Sequence, residues 1–435
     1  MSSMREFKFG WPVVVSSALG IALGMSPLPF YTIGVFAAPL SQEFGWSIAQ
    51  IMSALAVFTL VAMVAAPIVG YVTDRVGVRK VVLTSMVLFS LGMMSFSLNN
   101  GSMVLYLTLW AILGFVGAGT LPITFTRAIS RWFNEKRGLA LGVALIGTGI
   151  AGALAKVYAG YLILEFGWRM AYVGVGALPL VIALPVALVW FRDVDDPKAA
   201  KRAAQLAEHN TLTGGGKAYG MTVGQAFRDW RFWLLGITLV PLSFAIGGPI
   251  PNLETLLGDK GFSVTDAIFL ASLIGYAVLV GRLTGGYLLD KIWAPAVACT
   301  LLILPAYSMY LFQLPDLTYA QTALAVVILG FSAGIEYDLL AYLVSRYFGI
   351  RNYAAIYGIL YSFFAAGAGF GPAVYGRVFQ ATGSYNSILN WSMWAFIVCS
   401  LALLLLGRYR DAELEKMVDA PIVPKPQTRP AAEVQ

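Results

Sequence analysis

The sequence predicts an all-α membrane protein, twelve transmembrane helices in two pseudo-symmetric six-helix bundles. Three observations predict it: the composition, the spacing of the apolar runs, and an internal repeat at constant offset. Of 435 residues, 59% are hydrophobic and only 12% are charged, against about 25% charged in soluble domains. The mean hydropathy is +0.76. A soluble chain of this length needs far more polar surface to cover itself. A spanning helix takes roughly 20 apolar residues, and the sequence supplies such runs near 11–37, 48–73, 80–98, 102–128, 138–164, 168–190, 232–256, 264–289, 294–313, 318–346, 352–379 and 386–407. We number these spans 1 to 12.

Lys and Arg sort by loop. One set of loops carries Arg5 and Lys8, then Arg75, Arg79 and Lys80, then Arg131, Lys136 and Arg137, then Lys291, then Arg346 and Arg351, with a basic run from Arg408. The alternate loops hold only Arg169 and Lys260. The positive-inside rule places the first set, both termini and the central polar segment in the cytoplasm of a cell (inner) membrane. The same loops account for the net charge of +7, so no nucleic-acid partner is expected: no basic stripe with interleaved aromatics stands apart from the membrane flanks. The domains are therefore a first bundle (1–191), a cytoplasmic linker (192–231) containing Gly214, Gly215 and Gly216, a second bundle (232–408) and a cytoplasmic tail (409–435). No cleavable signal is expected, since the apolar run from Trp11 is too long for one. Cys299 and Cys399 lie inside apolar runs, so no disulfide framework is read.

The halves repeat. Gly70-Tyr71-Val72-Thr73-Asp74-Arg75 matches Gly286-Tyr287-Leu288-Leu289-Asp290-Lys291, 216 residues on; Gly142 matches Gly358 and Gly167 matches Gly383 at the same offset. Arg131-Trp132-Phe133 pairs with Arg346-Tyr347-Phe348, one residue out of step. An even number of spans per half keeps the repeats parallel, and such repeats bind solute at their interface near the midplane.

The segment Gly70 to Lys80, with Asp74, Arg75, Gly77 and Arg79, resembles the loop 2–3 signature of the major facilitator superfamily. Gly70 permits close helix packing, and Asp74 can accept charge-assisted hydrogen bonds across the bundle interface. The resemblance implies gating roles for Gly70, Asp74, Arg75, Gly77, Arg79, Lys80 and Asp290, a latch between the halves. The second copy lacks the following Gly-x-Arg-Lys, so its latch is expected to be weaker. A finer resemblance, to the monocarboxylate transporter and oxalate–formate antiporter branch, rests on Trp132 to Gly142 with Gly147-Thr148-Gly149, on Gly281-Arg282-Leu283-Thr284-Gly285-Gly286, and on Gly371 to Arg377 with Thr382 to Tyr385. It implies that Arg282 is the anion-binding arginine of span 8. Two departures count against a dicarboxylate held between two cations: Tyr31 stands where those monocarboxylate carriers often have a lysine, and Gly358 to Gly371 contains no basic residue.

Charges inside the membrane cost about 2.5–3.5 kcal/mol each even on lenient scales, so each needs a reason. Arg282 stays protonated and offers a planar fork for a carboxylate; its repeat partner is Ala66, so the scaffold does not require the charge, and the alternatives are a structural ion pair with an acid on span 10 or snorkelling to the cytoplasm. Lys156 lies about 27 Å along span 5 from Gly138, toward the outer side, where it either meets an anion or snorkels toward Glu165. Glu336 and Asp338 in span 10 point to nearly opposite faces; Asp338 is expected to face the cavity, and either one is a candidate for proton coupling or for a fixed salt bridge. Arg127 is read as snorkelling at the end of span 4. Tyr31, Tyr276, Tyr337, Tyr357 and Tyr361 fall on spans 1, 8, 10 and 11, and a cavity needs a few convergent hydroxyls; Tyr31, Tyr276, Tyr357 and Tyr361 join Arg282 and Lys156 as substrate-binding candidates. The reading is a secondary active transporter, a proton-coupled symporter of a small organic anion (a monocarboxylate, aliphatic or aromatic) working by alternating access. Its expected partners are that anion, the proton and the lipid bilayer. An anion exchanger or a drug-type efflux carrier is the alternative, and a membrane sensor on the same scaffold a further one. No enzyme, cofactor or metal site is expected: the one histidine, His209, lies in the polar linker.

Overall fold

The computed structural model describes residues 5–194, 196–199 and 219–409. The linker between 200 and 218, with His209 and its glycine run, and the tail from 410 lie outside the described residues. Among the described residues, ten helical segments are long and apolar enough to cross a membrane. One of them, Arg137–Trp190, contains spans 5 and 6, and span 1 enters as two shorter helices, which restores the twelve.

Several spans that read as continuous in the sequence are broken in the structure. Span 1 is Arg5–Ala22 and Leu28–Phe44, interrupted at Gly24 to Pro27. Span 4 is Met103–Val116 and Pro122–Trp132, joined by a tight turn over Gly117–Thr120. Span 7 is Trp230–Gly247 and Pro249–Asp259. Each break falls at a Gly/Pro cluster, because Pro lacks the amide donor and Gly weakens the helix. The two breaks in the first half are tied together by the Met25 N–H, which donates to Thr120 Oγ1 at 2.9 Å.

The remaining spans are Ile48–Val76 (span 2), Val78–Ser95 (span 3), Val264–Leu289 (span 8), Ala294–Gln313 (span 9), Tyr319–Tyr347 (span 10), Tyr353–Thr382 (span 11) and Asn386–Leu403 (span 12). Their starts follow local chemistry. Ser47 with Gln50 and Thr318 with Gln321 form reciprocal capping boxes at spans 2 and 10, which satisfy orphan N–H groups of the first turn. The repeat glycines Gly167 and Gly383 have φ of +78° and +68°. Both make the turn to the next span in a conformation open to glycine at little cost.

Apolar stripes turned away from the bundle make up the lipid-facing surface. Phe269, Tyr276, Val280, Leu283 and Tyr287 form one such exposed stripe on span 8. In the first half a stacked aromatic cluster ties spans 1, 3 and 6, with Tyr172 lying 3.8 Å from Phe36 and 5.0 Å from Phe96 between ring centroids.

The two halves meet along two helix pairs, spans 2 with 11 and spans 5 with 8. At the end carrying the basic loops, here the basic face, the backbones nearly touch. A Cβ on Gly70 would lie 2.1 Å from the Ala354 carbonyl oxygen, on Gly358 2.5 Å from that of Ala66, and on Gly286 2.5 Å from that of Gly138. Further along spans 5 and 8 the seam opens. Gly142 sits against the Arg282 carbonyl, but Gly149, two turns on along the same side of span 5, has nothing within 4 Å, and neither has Gly275 on span 8. The molecule is thus closed at the basic face and parted toward the opposite face.

Candidate functional site

Where the seam parts, a cavity of about 280 Å³ lies between the halves. The first half contributes both helix breaks, through Met25, Ser26, Pro27, Leu121 and Pro122. The helices that resume at Leu28 and Pro122 therefore begin at the cavity, and helix N-termini carry partial positive charge. Rings form much of the wall: Phe30, Tyr31 and Phe58 from the first half, Tyr337, Tyr361 and Phe364 from the second. Tyr337 and Phe364 lie 4.5 Å apart between centroids. Arg282 is the one charged side chain among the described lining residues.

Arg282 is placed by the packing of spans 8 and 10. A Cβ on Gly281 would meet the Phe331 carbonyl oxygen at 2.1 Å and one on Gly334 that of Val278 at 2.3 Å, so only glycine lets these backbones come so close. That approach sets Arg282 Nη1 3.5 Å from Asp338 Oδ1. The geometry is an ion pair without a hydrogen bond: Arg282 Nε and Nη1 donate to no protein group, and neither Asp338 oxygen accepts one. Arg282 is 6% exposed and Asp338 0%. The guanidinium is held by charge while its donors remain free for a cavity ligand.

The other candidates separate. Tyr31 and Tyr361 line the cavity. Tyr357 is fully buried, one turn from Tyr361 toward the basic face, and does not line it. Tyr276 does not reach it either: it is 71% exposed on the lipid-facing stripe of span 8, on a different helical side from Arg282. Lys156 lies outside the lining residues, exposed, with Nζ 5.5 Å from the Tyr31 ring centroid. Glu336 is buried and its Oε1 accepts no hydrogen bond. It stands one turn after Ser332, whose hydroxyl donates to the Leu301 carbonyl in span 9 at 2.7 Å, so it faces the interior of the second half. The sequence reading missed Ser26, Phe30, Phe58 and Phe364; the Gly/Pro interruptions of spans 1 and 4 were the signal available for the first-half wall.

At the basic face two carboxylates reach across the seam. Asp74 Oδ2 accepts from the Ala355 N–H at 2.9 Å and Oδ1 from that of Ala354 at 3.4 Å, the N-terminus of span 11. Asp290 Oδ1 and Oδ2 accept from the Gly138 and Leu139 N–H groups at 2.6 and 2.9 Å, the N-terminus of span 5. Gly138 and Ala354 are themselves 216 residues apart. The second contact forms without the Gly-x-Arg-Lys that follows the first, because it needs a carboxylate and a helix N-terminus, not the basic residues that follow. Asp290 lies just past the end of span 8, where burial pushes its carboxyl up to about 6, against the Leu139 and Gly138 N–H groups that favour its charged form.

Around Asp74 the charges differ from the sequence reading. Arg127 does not snorkel: it is 7% exposed, with Nε 2.7 Å from Asp74 and Nη1 3.0 Å from Asp193. Asp193, assigned to the linker, also pairs with Arg131 at 3.1 Å. A buried guanidinium is retained only with such partners. Arg79 donates to the Phe191 and Leu188 carbonyls at the end of span 6. Arg75 stacks over the Tyr71 ring at 4.4 Å, Lys80 is exposed, and Gly77, with φ of +99°, makes the turn between spans 2 and 3.

Comparison with known proteins agrees with this architecture. The chain is 30% identical over 367 residues to an uncharacterised 38 kDa protein of Thermoproteus tenax, covering 82% of this chain and 86% of that one. It is 27% identical over 385 residues to monocarboxylate transporter 13 of Rattus norvegicus, covering 87% and 84%. Among solved structures, a human organic anion transporter superposes with a TM-score of 0.70 at 16% identity, over 91% of this chain and 99% of that chain. The family model of the Major Facilitator Superfamily matches residues 19–372, and the chain belongs to that superfamily of membrane transporters.

Proposed function

We propose that this transporter carries a small monocarboxylate with an aromatic or bulky apolar body, by proton-coupled symport with alternating access. The observation that carries the reading is Arg282, the single charge in a ring-lined cavity, set 3.5 Å from a buried acid. The cavity volume of about 280 Å³ lies just below the range of drug-sized ligand pockets, about 300–1,000 Å³, which fits a small solute. One cation, with no second basic residue on the lining, matches one carboxylate. The apolar walls and the ring pairs favour a body that stacks.

Asp338 couples the proton. While it is ionised it competes for Arg282. At 3.5 Å two unit charges attract by about 5 kcal/mol at an effective dielectric near 20, before the desolvation that a bound carboxylate undergoes in its turn. Protonating Asp338 removes that competitor and leaves the guanidinium to the substrate. Deprotonation on the other side restores the internal pair and expels the substrate.

With the basic loops in the cytoplasm, the conformation described is outward-facing. The Asp74 and Asp290 contacts form the inner gate, together with Gly70, Arg75, Gly77, Arg79 and Lys80 around the first of them. Both termini are then cytoplasmic, in the cell membrane.

The test is uptake into proteoliposomes of labelled aromatic and aliphatic monocarboxylates and of dicarboxylates, with and without an inward proton gradient. Gradient-driven uptake of aromatic monocarboxylates is expected, with Arg282→Ala reducing it at least about a hundredfold, the scale of losing a charge-assisted contact, at unchanged expression and elution profile. Unimpaired uptake by that variant overturns the assignment. Uptake stimulated by substrate on the far side and indifferent to a collapsed gradient places the protein with anion exchangers instead.

A further inference from the structure

We propose that Lys156 is an entry site for the transported anion, a capture point at the mouth of the cavity that a carboxylate meets before it reaches Arg282. The proposal rests on the anion reading of the cavity and adds a residue that lies outside the cavity wall. Span 5 presents two distinct sides beyond Gly149. Ile150, Leu154, Val157, Tyr161 and Leu164 are exposed at the three- and four-residue steps of one helix side, and they form its lipid-facing stripe. Lys156 belongs to the other side. It follows Gly142 and Gly149 at steps of seven residues, about two helical turns each. A Cβ on Gly142 would lie 2.7 Å from the Arg282 carbonyl oxygen, whereas Gly149 has nothing within 4 Å. Lys156 therefore overlooks the gap between the halves, about 10 Å along the helix beyond Gly149.

The ammonium is turned toward the cavity. Lys156 is exposed and pairs with no acid among the described residues, Glu165 included. Its Nζ lies 5.5 Å from the ring centroid of Tyr31, within the reach of a cation–ring attraction, and Tyr31 lines the cavity together with Arg282. The other described cations toward this face are placed elsewhere. Arg169 Nη1 lies 2.8 Å from Glu43, and Lys260 Nζ donates to the Leu314 carbonyl at 3.1 Å. Arg377 is exposed seven residues after Phe370, on a side of span 11 away from Tyr361, Ala365 and Gly369, which line the cavity. The same face carries Glu165, Glu254, Asp259, Asp266 and Asp316, so an approaching anion meets acids around the rim and one cation above the cavity. A charge in a cleft with low-dielectric walls raises the local concentration of its counter-ion. An ammonium is a compact, strongly hydrated charge that holds a carboxylate loosely, as capture requires, while the guanidinium fork deeper in fixes its geometry.

Two measurements on the full-length protein test this, one of them independent of the substrate. In a Cys299→Ser, Cys399→Ser background, Gly149→Cys places a thiol on the open side of span 5, where a Cβ meets nothing within 4 Å. Its rates of modification by an anionic and a cationic methanethiosulfonate report the potential along the entry path. At about 0.01 M salt, Lys156→Gln should lower the anionic-to-cationic rate ratio about fivefold, the scale of one exposed ion pair. Lys156→Arg should preserve the ratio, Arg377→Gln should leave it unchanged, and the difference should vanish near 1 M salt, where charges are screened within about 3 Å. In proteoliposomes, Lys156→Gln should raise the KM for labelled benzoate about fivefold at low salt with kcat unchanged, and Lys156→Arg should restore it. A rate ratio indifferent to Lys156→Gln overturns the proposal, and so does a lowered ratio with an unaltered benzoate KM. A lowered ratio in a protein whose unsubstituted form takes up no benzoate supports the entry site and faults the monocarboxylate reading for that probe.

Discussion

At the scale of single residues, the molecule shows that an intramembrane charge is defined by its partner. Arg282 and Arg127 are both buried arginines near the middle of the chain's business, yet they differ in kind. Arg127 is engaged by two carboxylates at hydrogen-bond distance and is not among the cavity-lining residues. Arg282 faces one acid at 3.5 Å without a hydrogen bond and opens on a cavity. The proposed mechanism makes a sharp demand on that acid. Asp338→Asn keeps the shape of the side chain but neither gains nor loses a proton. Gradient-driven accumulation should fall at least about tenfold, the effect of about one pH unit of driving force, while exchange of internal for external substrate persists. Accumulation that still follows the proton gradient in Asp338→Asn would move the coupling to another group.

At the scale of elements, glycines fall into two classes that a sequence does not separate. Gly281 packs span 8 on span 10 within one half, while Gly70 and Gly286 pack one half on the other. The distinction predicts opposite phenotypes. Gly281→Leu must push apart a permanent helix pair, an overpacking that costs about 1–3 kcal/mol, and should lower the melting temperature. In the proposed cycle, Gly70→Leu obstructs a contact that transport has to break in any case. It should leave thermal stability near that of the unsubstituted protein, shift the population toward the state open at the basic face, and abolish uptake. Thermal unfolding together with thiol labelling of a single cysteine placed on the basic face separates the two. A Gly70→Leu protein as unstable as Gly281→Leu would show that the seam is structural.

At the scale of the whole molecule, two carboxylate-to-helix contacts cross the seam at the basic face; these are the latches of the proposed cycle, each typically worth about 0.3–2 kcal/mol. Contacts of that size can be made and broken within a transport cycle. The second latch adds a pH dependence. With the gate closed, burial holds the Asp290 carboxyl at about 6; with the gate open and the group hydrated it returns to about 4. The closed state therefore binds a proton more tightly, and its stabilisation from this group is fully present below about pH 4 and lost as pH rises through 6. Between pH 7 and 5 the closed fraction should gain up to about tenfold relative to the open one. Distances between spin labels on the two halves, measured in an Asp338→Asn background so that the cavity acid does not contribute, should show this gain, and Asp290→Asn should remove it. An unchanged pH response in Asp290→Asn would assign the effect elsewhere.

Membrane insertion, the twelve spans and the twofold repeat were legible in the linear sequence because they follow from composition, from run length against bilayer thickness and from glycines that recur for backbone reasons, at Gly167 and Gly383 for a turn and at Gly142 and Gly358 for a seam. That Arg282 would lie at the cavity and Asp74 at the seam was legible too, since a charge in an apolar run is costly enough to stand out. Tertiary structure alone decided which tyrosines meet the cavity, because Tyr276 and Arg282 share a helix yet face different solvents. It alone decided that Asp193 belongs to a buried ion cluster, that Asp338 and not Glu336 meets Arg282, and that the rings of spans 1 and 2 face those of spans 10 and 11 across the cavity. Each of these depends on the rotation and close approach of helices distant in sequence, and those are set by packing at the glycine contacts between spans.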